Sequence, residues 1–325
     1  MKKILLIILF ITGSLLSFAE EIIIYGPSSA KWIGKTFGPI FKEKTDVDIN
    51  YIAIDGIVSR MTLEKKNPKP DIIVGLTALQ IEFLKKIEII TKYKPKNADN
   101  IKSENFILDK EFYGTSFDYG LLAINYNKKI IENSPKTLDE LGKLEKKLLV
   151  ENPNLSSTGE EALLWSIALY DKNWKDFWNK IKPVIYSSEP GWSEAFAKFT
   201  TEEAPMMIGY ATSNLFFTED PSQAKFDSFL LSEGAFMYLE GVSLVNKPEI
   251  KDGAKLFMEY ILTEEFQGLV STKNYMFPVT DIVLPDSFKS IPTTDNVIKL
   301  SDNQIQDLIK NLDKYKNELV EILKK

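Results

Sequence analysis

The chain has no cysteine and no histidine, and its single arginine is Arg60. Without cysteine there is no disulfide framework, no thiolate metal site and no lipid-modified cysteine after a cleaved leader. Without histidine, histidine-based zinc sites and Ser-His-Asp triads are excluded. Acidic residues outnumber basic ones, 46 to 40, for a net charge of -6. An acidic chain almost without arginine is a poor partner for nucleic acid. It also lacks the guanidinium forks that clamp phosphate or carboxylate in bidentate fashion. A cationic or neutral small ligand suits this balance better, although the charge alone also fits ordinary solubility.

The one long apolar run is at the start. Lys2 and Lys3 precede Ile4 to Ile11, and Ser17-Phe18-Ala19 places small residues last and third from last before a cut. This reads as a secretory signal peptide over 1–19, cleaved after Ala19. The run is too short to span a bilayer, which takes roughly 20 residues. Loss of Lys2 and Lys3 takes the basic count from 40 to 38 and the mature net charge to -8. Export without a lipid-anchor cysteine predicts a periplasmic protein held together by core packing alone, and a monomer. A chain of 325 residues can do this most naturally as two lobes.

After the leader, Ile22–Tyr25, Val47–Ile54 and Asp71–Gly75 read as strands, with helices expected over 30–43, 57–65 and 79–87. This β-α-β-α-β order predicts an α/β fold with parallel sheet. The Asp71–Gly75 strand is apolar on both faces, as in a buried parallel sheet. Two longer strands, Phe117–Tyr126 and Phe236–Val245, flank a central segment. That segment holds a strand at Leu148–Glu151 and helices over 160–170 and 174–181. Two further helices, 254–262 and 264–270, follow. Ser301-x-x-Gln304 is a capping box for a last helix whose buried stripe is Ile305, Leu308, Leu312, Tyr315 and Leu319. The pattern predicts one lobe inserted into the other, with lobe 1 formed by 20–120 plus 233–275 and lobe 2 by 121–232 plus 276–325.

The most informative stretch is GWSEAFAKFTTEEAPMMIGYATS, Gly191 to Ser213. Trp192 sits on a turn at the mouth of a short helix. A strand then ends in Tyr210, with Thr212 and Ser213 next. Connections at the carboxyl ends of strands are where open α/β sheets bind ligands. Asp55 also ends a strand, either as a site carboxylate or as an Asx turn. Ser156, Ser157, Thr212 and Ser213 offer hydroxyls near helix starts, as anion donors or as plain caps. Glu160 and Glu161 beside the first of these would repel a dianion.

Together these segments resemble the thiamine-binding periplasmic proteins, the substrate-capturing subunits of thiamine ABC importers. The resemblance runs in order through Asp55-Gly56, Asp71–Leu76, Phe117–Gly120, Gly191–Ala195, Gly209–Ser213, Ser232–Gly234 and Asn274–Val279. It implies a two-lobed, class II periplasmic-binding-protein fold in which each lobe is a mainly parallel sheet flanked by helices. The ligand cleft would lie between the lobes. It implies thiamine, thiamine phosphate or thiamine diphosphate as transported ligand, no cofactor, no catalysis, and an ABC permease with its ATPase as partners. Carried over by motif, Asp55, Ser156, Trp192 and Tyr210 are site positions. At three expected aromatic positions the chain has Pro27, Phe216 and Tyr275 instead, so Phe216 and Tyr275 keep a face and Pro27 loses one. Trp192, Tyr210 and Tyr275 can stack on a flat heterocycle, and a cation over such a ring gains roughly 0.5–2 kcal/mol. Phosphate esters are expected to be tolerated rather than required. The rival readings are a polyamine, which suits acidity and aromatics, and ferric ion, for which the chain lacks a Tyr-Tyr pair. A hydrolase using Asp118 and Glu233 has no supporting spacing.

Overall fold

Alternating strands and helices generate an α/β architecture. The computed structural model describes residues 20–54, 56–216 and 224–324. The expected leader and Asp55 lie outside the described residues. Among the described residues, no helix is long and apolar enough to cross a membrane.

The first part runs β1 (Glu20–Gly26), α1 (Gly38–Thr45), β2 (Val47–Ala53), α2 (Ile57–Leu63), β3 (Ile72–Leu76), α3 (Ala78–Lys86), β4 (Ile90–Thr91) and β5 (Thr115–Asn127). Next come α4 (Leu138–Leu141), β6 (Leu148–Glu151), α5 (Ser157–Tyr170), α6 (Lys175–Ile181), β7 (Ile185–Glu189), α7 (Trp192–Thr200), β8 (Met206–Tyr210) and β9 (Phe226–Phe229). The chain ends with β10 (Ala235–Val245), α8 (Asp252–Tyr260), α9 (Glu264–Leu269), β11 (Phe277–Pro278), β12 (Val297–Ile298) and α10 (Asp302–Lys324). The helix expected over 30–43 is not uniform: a 3-10 turn at Ser28–Lys31 and a π-helical turn at Ile33–Phe37 precede α1. Close packing against β2 accompanies that irregularity, since a Cβ on Gly34 would lie 2.7 Å from Tyr51 Cβ.

The strand order is β2-β1-β3-β10-β5-β8-β6-β7. Parallel pairing joins β2, β1 and β3 at one end and β8, β6 and β7 at the other. Antiparallel β10 and β5 lie between them. The long β5 carries the sheet across: Thr115 to Leu121 are paired along β10, and Leu122 to Tyr126 along β8.

Each parallel set is covered on both faces, which is why its strands are apolar throughout. Ile22, Ile24, Ile72 and Val74 pack with Phe37 and Phe41 of the first connection. Tyr25 and Ile73 face the other way, onto Met61 of α2 and Ile81 and Leu84 of α3. At the other end, Leu148, Val150, Met206 and Ile208 pack with Leu163 and Trp165 of α5. Leu149 and Met207 face Ala195 and Phe199 of α7. The Ser301–Gln304 capping box forms, with Gln304 N donating to Ser301 Oγ and Ser301 N to Gln304 Oε1. The expected stripe of α10 packs with the α5 cluster, while Met276, Phe277, Val279, Phe288 and Ile291 pack with the β1–β3 cluster.

Candidate functional site

Crossing connections set the site's position. Along β2-β1-β3, the helix after β1 covers one face, and those after β2 and β3 cover the other. Along β8-β6-β7, the helix after β6 covers one face and the helix after β7 the other. Where neighbouring connections part to opposite faces, a crevice opens at the carboxyl edge of the strands. Pro27 stands at the first such edge. Ser156, Trp192 and Tyr210 stand at the second.

At the first edge the backbone approaches closely. Gly75 has φ +79, and a Cβ there would lie 2.7 Å from Pro27 Cδ and 3.3 Å from Glu240 Oε1. Only glycine adopts this backbone conformation without strain. The Tyr51 hydroxyl donates to Pro27 O at 2.7 Å. The expected loss of an aromatic at position 27 therefore leaves a proline braced between Gly75 and Tyr51.

At the second edge Tyr210 is held from several directions. Its N–H donates to Ser213 Oγ at 3.2 Å, and the Asn125 amide donates to its carbonyl at 2.9 Å. Its hydroxyl donates to Glu161 Oε2 at 2.8 Å and lies 3.5 Å from Thr158 Oγ1. Its ring is 6.1 Å from that of Tyr238, whose hydroxyl donates to Glu240 Oε1 at 3.0 Å. Glu240 lies opposite Asp118 in the β5–β10 ladder. Asp118 Oδ2 accepts from Asn274 Nδ2 at 2.5 Å, and Asn274 Oδ1 in turn accepts from Trp32 Nε1 at 3.2 Å.

These carboxyl groups are buried, and burial penalises their charged forms. It pushes Glu161 well above the usual carboxylate range; the Tyr210 hydroxyl opposes the shift, and Glu240, Glu160 and Glu151 add to it. Burial and the adjoining Glu240 raise Asp118 strongly, and burial raises Glu240 as well. Asp118 Oδ1 is buried and has no hydrogen-bond partner. Burial and the neighbouring carboxylates raise Tyr210 and Tyr238 too. Glu161 Oε1 has no hydrogen-bond partner, although the residue is only 3% exposed. The arrangement thus offers two phenol rings and a reserve of negative charge that a desolvated cation would draw out.

The structure disposes the expected residues unequally. Tyr210 and Ser213 are joined by a hydrogen bond, and Thr212 is buried beside them. Ser156 is the N-cap of α5, its Oγ accepting from Gly159 N at 3.3 Å, and Ser157 is exposed. Trp192 stacks on Phe196 with ring centroids 4.4 Å apart, on the α7 face of the sheet, whereas Tyr210 packs on the α5 face. The two share an edge, not a face. Tyr275 has a left-handed backbone, φ 54, and packs against the β1–β3 cluster. The side chain of Phe216 lies outside the described residues. A cavity of about 620 Å³ opens between the start of α3, the start of α10 and the β10 edge; it shares Tyr238 with the cluster and includes none of the expected positions.

A family model for bacterial extracellular solute-binding proteins matches residues 25–268. The chain belongs to that family. Among relatives of this solute-binding protein is the thiamine-binding periplasmic protein of Salmonella typhimurium, 26% identical over 282 residues, covering 82% of this chain and 84% of the relative. Among solved structures, a periplasmic thiamin binding protein superposes with a TM-score of 0.79 at 22% identity, covering 93% of this chain and 96% of the other. The apo ferric ion-binding protein A of Pasteurella haemolytica superposes with a TM-score of 0.78 at 18% identity, over 94% and 98% of the two chains. These superpositions establish the two-lobed class II fold.

Sequence reasoning missed Tyr238, Glu240 and the inward role of Glu161, and weighed Asp118 only as one of a catalytic pair. A signal was there: Glu240 interrupts an otherwise apolar strand, and Glu161 opens the apolar face of α5. A charge inside such a segment is rarely buried without a purpose.

Proposed function

We propose that this solute-binding protein captures thiamine in the periplasm, without chemistry, and delivers it to an ABC permease driven by its ATPase. One observation carries the reading: the part-buried Tyr210–Glu161 pair at the end of β8 and Tyr238–Glu240 pair within β10, with Asp118 opposite Glu240. Thiamine is a flat aminopyrimidine joined to a permanently cationic thiazolium. Aromatic faces suit the rings, and carboxyls of suppressed charge suit the cation. The relatives' names support the ligand class, and the rings and carboxyls brought together at Tyr210 and Tyr238 suit its chemistry.

In this reading an open form binds the ligand on one lobe, and the other folds over it about β5 and β10. Trp192 and Tyr210 approach it from the two faces of one edge, Tyr275 adds a further ring, and Asp55 and Phe216 are kept as candidates from the sequence. The lobe limits are kept as drawn from the sequence; the packing of apolar side chains from 276–291 with the β1–β3 cluster favours assigning that segment to the first lobe.

The test is calorimetric titration of mature protein, unfolded and refolded to strip carried ligand, with thiamine, spermidine and ferric citrate. Submicromolar thiamine binding is expected. Binding of spermidine or ferric citrate without thiamine would overturn the reading.

A further inference from the structure

The start of α5 holds a specificity device. Three of the four hydroxyls there that could hold an anion are already engaged or buried, and Ser157 alone of the four stays exposed. Ser156 Oγ caps Gly159, Ser213 Oγ accepts from Tyr210 N, and Thr212 and Ser213 are 2% and 1% exposed. Among the described residues, Lys316 reaches this helix start and is paired with Glu160. Within the same turn, Glu161 is buried with its Oε2 on the Tyr210 hydroxyl and its Oε1 unpartnered. An unpartnered buried carboxyl oxygen is costly, and a ligand donor that reaches it recovers the loss.

Charge decides which donor that is. With the thiazolium of the same ligand drawing Glu161 toward its ionised form, a phosphate tail brought to this place would meet a buried carboxylate, and the low dielectric strengthens that repulsion. A hydroxyl tail would instead donate a hydrogen bond. We infer that Glu161 makes this chain selective for thiamine itself, its free hydroxyethyl group donating to Glu161, against thiamine monophosphate and diphosphate. The inference rests on the proposed function and narrows it. Glu161 then acts as a filter at the tail in addition to its place beside Tyr210.

The experiment compares the affinities of thiamine and thiamine monophosphate for the wild-type protein, Glu161→Gln and Glu160→Gln. Wild type is expected to favour thiamine by tenfold or more. Glu161→Gln removes the charge, keeps the side-chain shape and an acceptor for Tyr210, and is expected to shrink that preference at least fivefold. Glu160→Gln, with its partner Lys316 released, serves as the control for net charge and is expected to lower the preference by a smaller factor than Glu161→Gln. Equal affinities in wild type would overturn the inference and leave thiamine capture standing, a result that needs no variant to fold. An unchanged preference in Glu161→Gln, or an equal shift in both variants, would overturn it too. Failure of both ligands to bind wild type would overturn the inference together with the function it rests on.

Discussion

Tyr210, the last residue of β8, donates its hydroxyl to Glu161 Oε2 in the first turns of α5, 2.8 Å away. The contact ties a strand end to the helix that covers the same face of the sheet. It also places a phenol ring and a buried carboxyl where the sequence alone indicated a ring and two hydroxyls.

Trp192 approaches the edge from the other face. Its stack on Phe196 holds the indole plane in place without help from a ligand. Trp192→Ala is expected to weaken thiamine binding about tenfold, the ~1.4 kcal/mol of a lost cation–π wall. Unchanged affinity by calorimetry would remove Trp192 from the site.

Burial holds Glu161, Asp118 and Glu240 protonated above the usual carboxylate range. For the empty protein the sign follows from linkage: these raised groups contribute stability that is present below their unfolded values and lost as pH rises through the folded ones. A bound cation reverses the preference, because it favours the ionised forms. Thiamine binding is therefore expected to release protons and to tighten as pH rises from about 5 to 8, the region above ordinary carboxylate values near ~4. Titration in two buffers of different ionisation enthalpy measures the release. Zero release together with a flat affinity would show that no buried carboxyl responds to the ligand.

Asp71 works in the opposite sense, and far from the edge. It is buried at the start of β3, where desolvation alone would raise it. Hydrogen bonds from Lys247 at 2.8 Å, Ile23 N at 2.9 Å and Lys251 at 2.9 Å outweigh that and hold it below the usual range. Its contribution is thus present above the unfolded value and lost as pH falls through the folded one. Asp71→Ala is expected to cost about 3 kcal/mol at neutral pH, the scale of a broken buried pair. The deficit should shrink in acid. Urea denaturation at two pH values checks both, and an equal deficit at both would contradict the assignment.

Much of this fold was legible in the sequence, because strands buried on both faces and an amphipathic last helix leave strong periodic signals. The core strands β1, β2, β3, β5, β6, β8 and β10 fall where apolar runs place them, and the Ser301–Gln304 box opens α10. Short strands such as β4, β11 and β12 were not legible, since two residues of pairing depend on distant partners. The site was half legible. Tyr210 and Trp192 could be placed at strand exits, but their separation onto opposite faces depends on which way α5 and α7 cross. The pairing of Glu240 with Asp118 depends on the β5–β10 register, with its shift between Glu240 and Gly241. Ser156 illustrates the reverse. Its hydroxyl looked available to a ligand, and the structure commits it to capping α5.

The central claim is that buried carboxyls and rings hold a cation. It is tested most directly by comparing thiamine with a neutral analogue whose thiazolium nitrogen is replaced by carbon, in wild type and in Glu240→Gln. The account predicts that wild type binds thiamine at least tenfold more tightly than the neutral analogue. Glu240→Gln should weaken thiamine while barely changing the analogue. Equal affinity of the wild-type protein for the two ligands would contradict the account.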